Sequence, residues 1–445
     1  MEAIQTRRAE GAAGAFWRAL LEGDGCALLC LLRDPDSGVG PNSVFDTSDS
    51  EEWKALRGNS RWLRIWALTY EQELTSPLHV TAGRGFVDCL RHLLLRGAEV
   101  DLAPGGRTAL HEACAAPAPD CARLLLSFGA DPRAPAQPDG RRPLHFCRSP
   151  DSLECARLLL SHGAVVNEAP EEGESEGETP LHVAARLGLA AHARLFLSHG
   201  ALLEARDAAG RTPLHAACSA GPLRGGAVGE GEGRWAVCRL LVSAGARVEA
   251  WDQDRTRPLH CACKAGDHRA VSLLLERGAS ANLMAYGGGT PLHLALQAAA
   301  APHAPHEGPD DPEDPHPAGD VRPELVVRLL LNHGAVRVWP GALLKVVRHC
   351  CACPRALEAL LNTYERVPVT EEWREAVPEE VQQRDRRFFE SLWGLGGSPR
   401  ALRHLSRLAL RAALQGRPLP PLLPRLGLPP PLRRFLLLRF EGALQ

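Results

Sequence analysis

Apolar residues along the chain recur in short clusters that share one ending. Seven apolar triplets each lie near the end of a stretch with helical spacing, and a glycine follows each triplet. The triplets begin at Leu93, Leu124, Leu158, Leu195, Leu240, Leu273 and Leu329, and the glycines are Gly97, Gly129, Gly163, Gly200, Gly245, Gly278 and Gly334. A glycine just past the last turn supplies the left-handed conformation that ends a helix. The pattern therefore predicts seven apolar helices with a common ending.

A tetrad of the type Thr-Pro-Leu-His lies upstream of each of these helices. The seven copies begin at Ser76, Thr108, Arg142, Thr179, Thr212, Arg257 and Thr290. Their spacing is nearly constant, with longer intervals only after Arg142 and Thr212. Proline in the second position suits the first turn of a helix, where its missing N–H is not needed. Each period therefore predicts a helix of small residues, a short turn and the apolar helix.

A period of about 33 residues with this tetrad resembles the ankyrin repeat. The resemblance implies an all-α repeat fold, in which helix pairs stack into a solenoid with short β-hairpin loops on one side. It also implies that each tetrad histidine braces the backbone of its loop. Histidines from successive repeats cannot form a close ligand set, so we do not expect them to bind a metal. A repeat array forms a long binding surface, which favours recognition over catalysis.

Less regular segments flank and interrupt the seven repeats. We predict a degenerate N-terminal ankyrin unit and an inserted helix over 1–75, seven repeats over 76–338, and a degenerate C-terminal unit over 339–367. Linker helices over 368–397 and a separate segment over 398–445 complete the chain. Insertions at 221–233 and 300–323 are predicted to be exposed loops. The acidic stretch 168–178 is either another solvated loop or a contact for a basic partner.

Overall composition excludes several classes of function. The formal net charge of −2 argues against bulk electrostatic binding to nucleic acid or to an anionic membrane. The apolar runs are too short to cross a bilayer, and the N-terminus has no apolar stretch typical of a secretory signal. Without such a signal, the 14 cysteines are expected to be reduced. We therefore expect a cytoplasmic location, or a cytoplasmic and nuclear one.

Catalytic and metal-binding motifs are weak. We find no glycine-rich phosphate loop and no nucleophile motif, so we expect a non-catalytic protein without a cofactor. His349 with Cys350, Cys351 and Cys353 could suggest zinc, but no second Cys/His pair follows at finger spacing. Helix packing is the preferred interpretation of these four residues.

The C-terminal segment 398–445 differs from the array in composition. From Pro399 onward, nine arginines stand against Glu441 alone. A basic tail could touch nucleic acid, but no aromatic platform accompanies it. The pattern instead predicts a short helix with one apolar face. That face comprises Leu402, Leu405, Ser406, Ala409 and Leu410. It could pack against the last repeat or bind a partner.

Leu402, Ser406 and Leu410 have the spacing of the elongin-binding part of a SOCS box, and 426–436 is similar to its second element. The whole chain resembles the ankyrin repeat and SOCS box family. The resemblance implies the substrate-recognition subunit of a cullin-5 E3 ubiquitin ligase. Its elongin C contacts, with elongin B attached, would be Leu402, Leu405, Ser406, Ala409 and Leu410. Its contacts to cullin-5, with the RING partner attached, would be Leu428, Pro429, Leu432, Phe435 and Leu436.

Two departures from the family pattern affect these contacts. Ser406 stands where cysteine is commonest, and its similar size should preserve elongin binding. Gly427 replaces the first proline of the second element, which frees the chain by roughly 0.4–1 kcal/mol, so the pattern supports cullin docking less strongly than elongin docking.

The array itself would hold an unknown protein substrate through its hairpins and first helices. The candidate substrate contacts are Arg107, Arg141, Arg211, Asp252, Asp254 and Tyr286. An alternative function from a different class is a non-degradative ankyrin scaffold with a C-terminal helical cap.

Overall fold

The computed structural model describes residues 11–46, 74–171, 176–219, 230–300, 322–395, 400–413, 417–438 and 444. The predicted inserted helix at 53–70 lies outside these residues. So do most of the two predicted loops at 221–233 and 300–323, and residues 172–175 of the acidic stretch. The described residues divide into two compact units. The first comprises 1–184 with 189–208, and the second comprises 185–188 with 209–445.

The first unit is built from helix pairs that follow the predicted period. Its helices are Gly11–Glu22, Gly25–Arg33, Pro77–Arg84, Val87–Leu95, Ala109–Ala115, Pro119–Ser127, Leu153–Ser161 and Ala190–Ser198, with most of Pro180–Leu187. Short 3-10 helices span Pro35–Ser37, Pro143–Phe146 and Pro150–Ser152. Strands Phe45–Asp46 and Leu74–Thr75 pair antiparallel, with Phe45 opposite Thr75. The ankyrin fold predicted from the period is confirmed.

The third repeat departs from the predicted pattern. Its tetrad opens a single 3-10 turn, Pro143–Phe146, where the other six tetrads open an α-helix. Pro150 accounts for the difference, because a proline disfavours helical backbone in the residue before it and cannot donate its own hydrogen bond. The expectation of one uniform helix pair per repeat is therefore wrong at this position.

The predicted hairpin loops are turns that bond to the turn of a neighbouring repeat. In the first unit, the N–H of Gln137 donates to the carbonyl of Gly106 at 2.7 Å. Gly106 has φ +81°, and a Cβ added there would lie 2.5 Å from the carbonyl oxygen of Gln137. Only glycine fits this close approach between adjacent loops.

Tetrad histidines brace each loop against the next repeat. The N–H of Thr108 donates to Nδ1 of His111 at 3.1 Å, and Nε2 of His111 lies 3.2 Å from the carbonyl oxygen of Arg141. His145 repeats the arrangement toward the carbonyl of Glu178 at 2.9 Å. Because a backbone N–H must donate, Nδ1 accepts and the ring proton is on Nε2. These imidazoles are therefore neutral structural links, as the resemblance implied.

The second unit continues the array and adds the C-terminal segment. Its helices are Pro213–Ser219, Glu230–Ser243, Pro258–Ala265, His268–Glu276, Pro291–Ala300, Pro323–Asn332, Leu343–Cys350, Pro354–Leu361, Glu371–Glu375, Glu379–Arg384, Arg386–Gly394, Leu402–Ala413 and Pro430–Leu436. Short 3-10 helices span Pro340–Ala342 and Leu423–Leu426. We call Leu402–Ala413 the box helix.

Arginines hold the box helix to the end of the array. Arg400 donates to the carbonyl of Leu361 at 2.8 Å, and Arg411 donates to the carbonyl of Leu331 at 2.7 Å. These carbonyls lie in the last turns of Pro354–Leu361 and Pro323–Asn332, and each also accepts from one backbone N–H just beyond its helix, of Tyr364 at 3.2 Å and of Gly334 at 3.4 Å. A cation at a helix C-terminus is also favoured by the helix dipole. The box is therefore attached by capping two repeat helices.

Arg407 and Arg411 also reach the second helix of the C-terminal segment. Arg411 donates to the carbonyl of Leu436 at 2.8 Å and to Oδ1 of Asn332 at 2.9 Å. The guanidinium of Arg407 lies 4.5 Å from the ring centre of Phe435. The side-chain amide of Asn332 donates to the carbonyl of Leu437 at 2.9 Å. These contacts join both halves of the segment to one repeat helix.

Histidine burial makes the stability of the first unit depend on pH. Burial lowers the pKa of His111 and of His145 from 6.5 to about 4, with Arg107 and His79 acting in the same direction on His111 and Asp139 opposing them. The unfolded chain binds these protons near pH 6.5 and the folded chain only near pH 4. The stabilisation is therefore complete above pH 6.5 and declines as the pH falls toward 4.

We expect each of these two histidines to lower the free energy of unfolding by about 1.4 kcal/mol between pH 7.5 and pH 5.5. Urea midpoints at the two pH values measure the change. Replacing an exposed histidine of the same unit, His199→Gln, should leave the slope unaltered. Equal midpoints for the wild-type chain at both pH values would contradict the assignment.

Removing the Arg411 guanidinium should loosen the C-terminal segment. Arg411→Met removes the side-chain donor to the carbonyls of Leu331 and Leu436, and Leu331 keeps only the longer bond from the N–H of Gly334, so we expect a cost of about 1–3 kcal/mol. We expect faster amide hydrogen exchange over 402–413 and 430–436, with unchanged exchange in the first unit. Arg425→Met, at an exposed arginine of the same segment, serves as the matched control. Protection equal to the wild type in Arg411→Met would show that these caps do not hold the segment.

Candidate functional site

The apolar face predicted for the box helix points outward. Leu402 is 79% exposed, Leu405 is 39% exposed and Leu410 is 38% exposed. Ser406 and Ala409, which lie between them on the same face, are also exposed. The five predicted elongin contacts thus form one continuous outer surface, which we call the outer apolar face.

Polar residues form the buried side of the same helix. His404, Arg407 and Leu408 are buried, and Nε2 of His404 lies 3.0 Å from the carbonyl oxygen of Tyr364. Arg407 donates to Nδ1 of His404 at 2.9 Å, which fixes the ring proton on Nε2. The interpretation that the face leucines pack against the last repeat is therefore wrong. The helix packs through its arginines, its histidine and Leu408, which leaves the outer apolar face free of the repeats.

Burial and like charges keep His404 neutral. Burial lowers the pKa of His404 to about 4, and Arg400 and Arg407 act in the same direction while the Tyr364 carbonyl opposes them. Burial also lowers the pKa of Arg400 to about 10, which leaves its guanidinium protonated at neutral pH. Neutral His404 can therefore accept at Nδ1 from the guanidinium of Arg407, and Arg400 remains a charged donor to the carbonyl of Leu361.

Ser406 satisfies its own hydroxyl. Its Oγ donates to the carbonyl oxygen of Leu402 at 2.8 Å, one turn earlier in the same helix. A partner that covers Ser406 does not have to supply a hydrogen bond for it. The replacement of the commoner cysteine by serine therefore leaves a small, internally satisfied residue on the outer apolar face.

The five predicted cullin contacts divide into exposed and buried positions. Pro429 is exposed and Leu432 is 48% exposed. Leu436 is buried in a small cluster with Leu419 and Leu423, and Leu428 packs against that cluster while partly exposed. Of the five, only Pro429 and Leu432 are therefore exposed, and Leu436 lies inside the segment. Phe435 is half-buried, with the guanidinium groups of Arg403 and Arg407 each 4.5 Å from its ring centre.

Gly427 ends the 3-10 helix Leu423–Leu426 in a left-handed conformation. Its φ is +63°, and no atom lies within 4 Å of a Cβ added there. Proline is fixed at a negative φ and cannot adopt this conformation. The departure from the family pattern therefore has a local cause: the turn that leads into Leu428 and Pro429 needs a residue that tolerates positive φ.

The predicted substrate contacts in the first unit take part in internal contacts. Arg141 forms an ion pair with Glu178 at 2.8 Å, and both side chains are mostly buried. Arg107 lies 3.7 Å from Glu112 and its guanidinium is 4.8 Å from the ring centre of Phe146. Both arginines therefore form contacts within the array, which leaves less of each side chain available to a substrate.

In the second unit the predicted substrate contacts are more varied. Asp252 is buried and accepts from the N–H groups of Asp254 and Thr256 at 3.0 and 2.7 Å, so it shapes its own turn. Asp254 and Arg211 are exposed. Tyr286 is 66% exposed, with the guanidinium of Arg255 lying 4.8 Å from its ring centre.

Sequence reasoning missed two exposed residues in the loops that carry Arg255 and Tyr286. Trp251 and Met284 follow the helix-ending glycines Gly245 and Gly278 at the same distance along the chain, so they occupy equivalent positions of neighbouring loops. Both are more than half exposed. The repeat register could have identified them, since large apolar residues at equivalent loop positions are unusual on a solvated surface.

Metal chemistry finds no support among the described residues. No group of three or more His, Cys, Asp or Glu side chains there is arranged to hold a metal ion. Burial raises the pKa of Cys350 and Cys353 to about 12, so both are protonated thiols, and Cys350 lies 3.2 Å from the carbonyl oxygen of Leu296. All 14 cysteines are free.

Of the helices that the structure describes, none has the length and apolar character to span a membrane.

Restoring the family's proline should damage the turn at Gly427. Gly427→Pro cannot keep the positive φ of the glycine, so we expect the Leu419–Leu423–Leu436 cluster to open and amide exchange over 419–436 to accelerate. Gly427→Ala keeps the turn at a cost of about 1–2 kcal/mol, because left-handed backbone is disfavoured for residues with a Cβ. Native-like exchange in Gly427→Pro would contradict this account of the glycine.

Comparison with known proteins agrees with the geometry. A family model described as ankyrin repeats (3 copies) matches residues 78–170, 129–207, 168–225 and 226–303. A SOCS box model matches residues 398–437, which include the box helix and Pro430–Leu436. A solved structure of the ankyrin repeat domain of human ASB11 aligns with a TM-score of 0.43 and 27% identity, over 49% of this chain and 91% of that chain.

Curated relatives cover nearly the full length of the chain. Ankyrin repeat and SOCS box protein 10 of Homo sapiens is 53% identical over 99% of this chain and 90% of its own length. The Mus musculus protein of the same name is 49% identical over the same shares. Ankyrin repeat and SOCS box protein 16 of Mus musculus is 42% identical over 97% of this chain and 87% of its own length. The chain belongs to the ankyrin repeat and SOCS box family, whose members are substrate-receptor adaptors of E3 ubiquitin ligases.

Proposed function

We propose that the chain is the substrate-recognition subunit of a cullin-5 E3 ubiquitin ligase, with elongin C and elongin B bound to its box helix. The observation that carries the proposal is the outer apolar face on a helix whose other side is anchored to the repeats. Three leucines kept in water on one short helix face are unfavourable unless a partner covers them. A partner groove that accepts an apolar helix face would match this surface.

Leu402 is the residue we expect to contribute most to elongin C binding. It is the most exposed leucine of the face, so a partner pocket can bury nearly all of its side chain. Full burial of a leucine contributes roughly 1.5–3 kcal/mol, which is the size of an interface hot spot. Leu405 and Leu410 would widen the contact, and Ser406 and Ala409 would allow close approach because they are small.

Cullin-5, with its RING partner, would dock on the segment that follows Gly427. Pro429 and Leu432 offer the exposed surface, while Leu428 and Leu436 in the small cluster and Phe435 beside Arg403 and Arg407 would position them. The array would hold a protein substrate near the conjugating enzyme, so the chain would act by proximity and would supply no chemistry of its own. We expect this activity in the cytoplasm, or in the cytoplasm and nucleus, where free thiols remain reduced.

The alternative, a non-degradative scaffold with a helical cap, would use the box leucines internally. Their exposure disfavours it, because a cap exists to cover the apolar end of an array and should bury its own apolar residues. The array could still bind proteins that are not ubiquitinated. The two functions therefore differ in whether elongin C binds the outer apolar face.

Leu402→Asp should abolish co-purification of elongins B and C with the full chain, because an aspartate cannot enter an apolar pocket without a large desolvation cost. Leu432→Asp should retain the elongins and lose cullin-5, which separates the two contacts. Leu95→Asp replaces a leucine of similar exposure in the first unit and should retain both. Equal recovery of elongin C with wild type and Leu402→Asp would rule out the proposed ligase function.

A further inference from the structure

A cleft of about 330 Å³ lies in the second unit between the last repeats and the inner side of the box segment. The residues that form its walls are Leu331, Asn332, Gly334, Ala335, Val336, Arg337, Thr363, Glu365, Leu408, Arg411, Ala412, Arg417 and Leu419. None of the five predicted elongin contacts lines it. Three arginines line the cleft, Arg337, Arg411 and Arg417, and Glu365 is the one acidic side chain on its walls.

Arg411 is fixed by hydrogen bonds that do not use all of its N–H donors. Its three hydrogen bonds, to Asn332, Leu436 and Leu331, use three of the five N–H groups of a guanidinium. These carbonyl and amide acceptors fix the orientation of the group without neutralising its charge. Arg411 therefore presents two further donors from a preorganised position.

The other two arginines complete a cationic surface around the same space. Arg337 donates to the carbonyl of Thr363, and its guanidinium lies 5.4 Å from the ring centre of Tyr364. Arg417 is exposed and forms no ion pair with the described residues. Each guanidinium therefore approaches the cleft without a carboxylate bound to it.

Positive charges outnumber negative ones on the cleft walls. Burial lowers the pKa of Arg411 to about 10, and the nearby Arg407 and Arg337 act in the same direction, with no acidic neighbour opposing them. Repulsion of this kind is relieved when an anion enters between the cations. The cleft is thus better suited to a charged ligand than to an apolar one.

We propose that this cleft binds a phosphate monoester group, carried on a phosphorylated side chain of a partner polypeptide or present as free phosphate. Three guanidinium groups against Glu365 leave a charge of +2 on the walls, which matches the charge of about −1.5 to −2 on a phosphate monoester. Arginine forks donate paired hydrogen bonds that suit phosphate oxygens. Val336, which is 69% exposed on the cleft wall, offers an apolar surface for a residue beside the phosphorylated one.

Binding can be measured on the full chain by isothermal titration calorimetry with inorganic phosphate, the peptide Ala-phosphoSer-Leu and the unphosphorylated peptide, at constant ionic strength. We expect the phosphate probes to bind and the unphosphorylated peptide not to bind. Tighter binding of the phosphopeptide than of inorganic phosphate would assign the ligand to a polypeptide, and equal binding would assign it to free phosphate.

Three substitutions test whether the site is this cleft. Arg417→Gln should weaken phosphate binding roughly fivefold, since it removes one partly exposed cation. Arg434→Gln makes the same charge change at an exposed arginine outside the cleft and should have no effect. Glu365→Gln should tighten binding, a gain that misfolding cannot produce.

No binding of either phosphate probe to the wild-type chain would overturn the proposal. Equal effects of Arg417→Gln and Arg434→Gln would also overturn it, because phosphate would then respond only to overall charge. The site is independent of the ligase proposal, since Leu402→Asp should leave phosphate binding unchanged. Loss of elongin binding and loss of phosphate binding are therefore separately observable.

Discussion

The arrangement of the C-terminal segment depends on the capping of helix ends by arginine. Arg400 and Arg411 donate to the carbonyls of Leu361 and Leu331, and Arg407 donates to that of Asn362. Arg411 also donates to the carbonyl of Leu436 in Pro430–Leu436. The carbonyls of Leu361 and Leu331 each accept from one N–H just beyond their helix, of Tyr364 and of Gly334, and the arginine adds a second, charged donor. Guanidinium supplies several donors and a charge that the helix dipole favours. A short segment with little core of its own is thereby fixed to the array.

This mode of attachment determines what the segment shows to the solvent. A short amphipathic helix usually buries its apolar side, yet here the polar side is buried because it has matching acceptors on the repeats. The leucines are then left for a partner, and the box can be stable before that partner arrives. The same arrangement brings Arg337, Arg411 and Arg417 to one cleft, so the attachment also creates a cationic surface that the array alone would lack.

The tetrad histidines solve a related problem within the array. Each loop carries backbone groups that are buried against its neighbour, and a neutral imidazole accepts from one repeat and donates to the next. Burial keeps the ring neutral, which is the protonation state that this bonding requires. Polar side chains thus connect buried backbone groups in two places, with histidine between repeats and arginine between the array and the box.

Local periodicity was enough to predict the repeats, their helix ends and the residues of the outer apolar face, because helical spacing and glycine stops act within one turn. The failure of the third tetrad to form an α-helix depends on Pro150, a local signal that the regular period concealed. The direction of the box helix could not be predicted, since an amphipathic helix does not specify which side meets the array. Only the tertiary structure places the carbonyls of Leu331 and Leu361 opposite Arg411 and Arg400, and that long-range match turns the leucines outward.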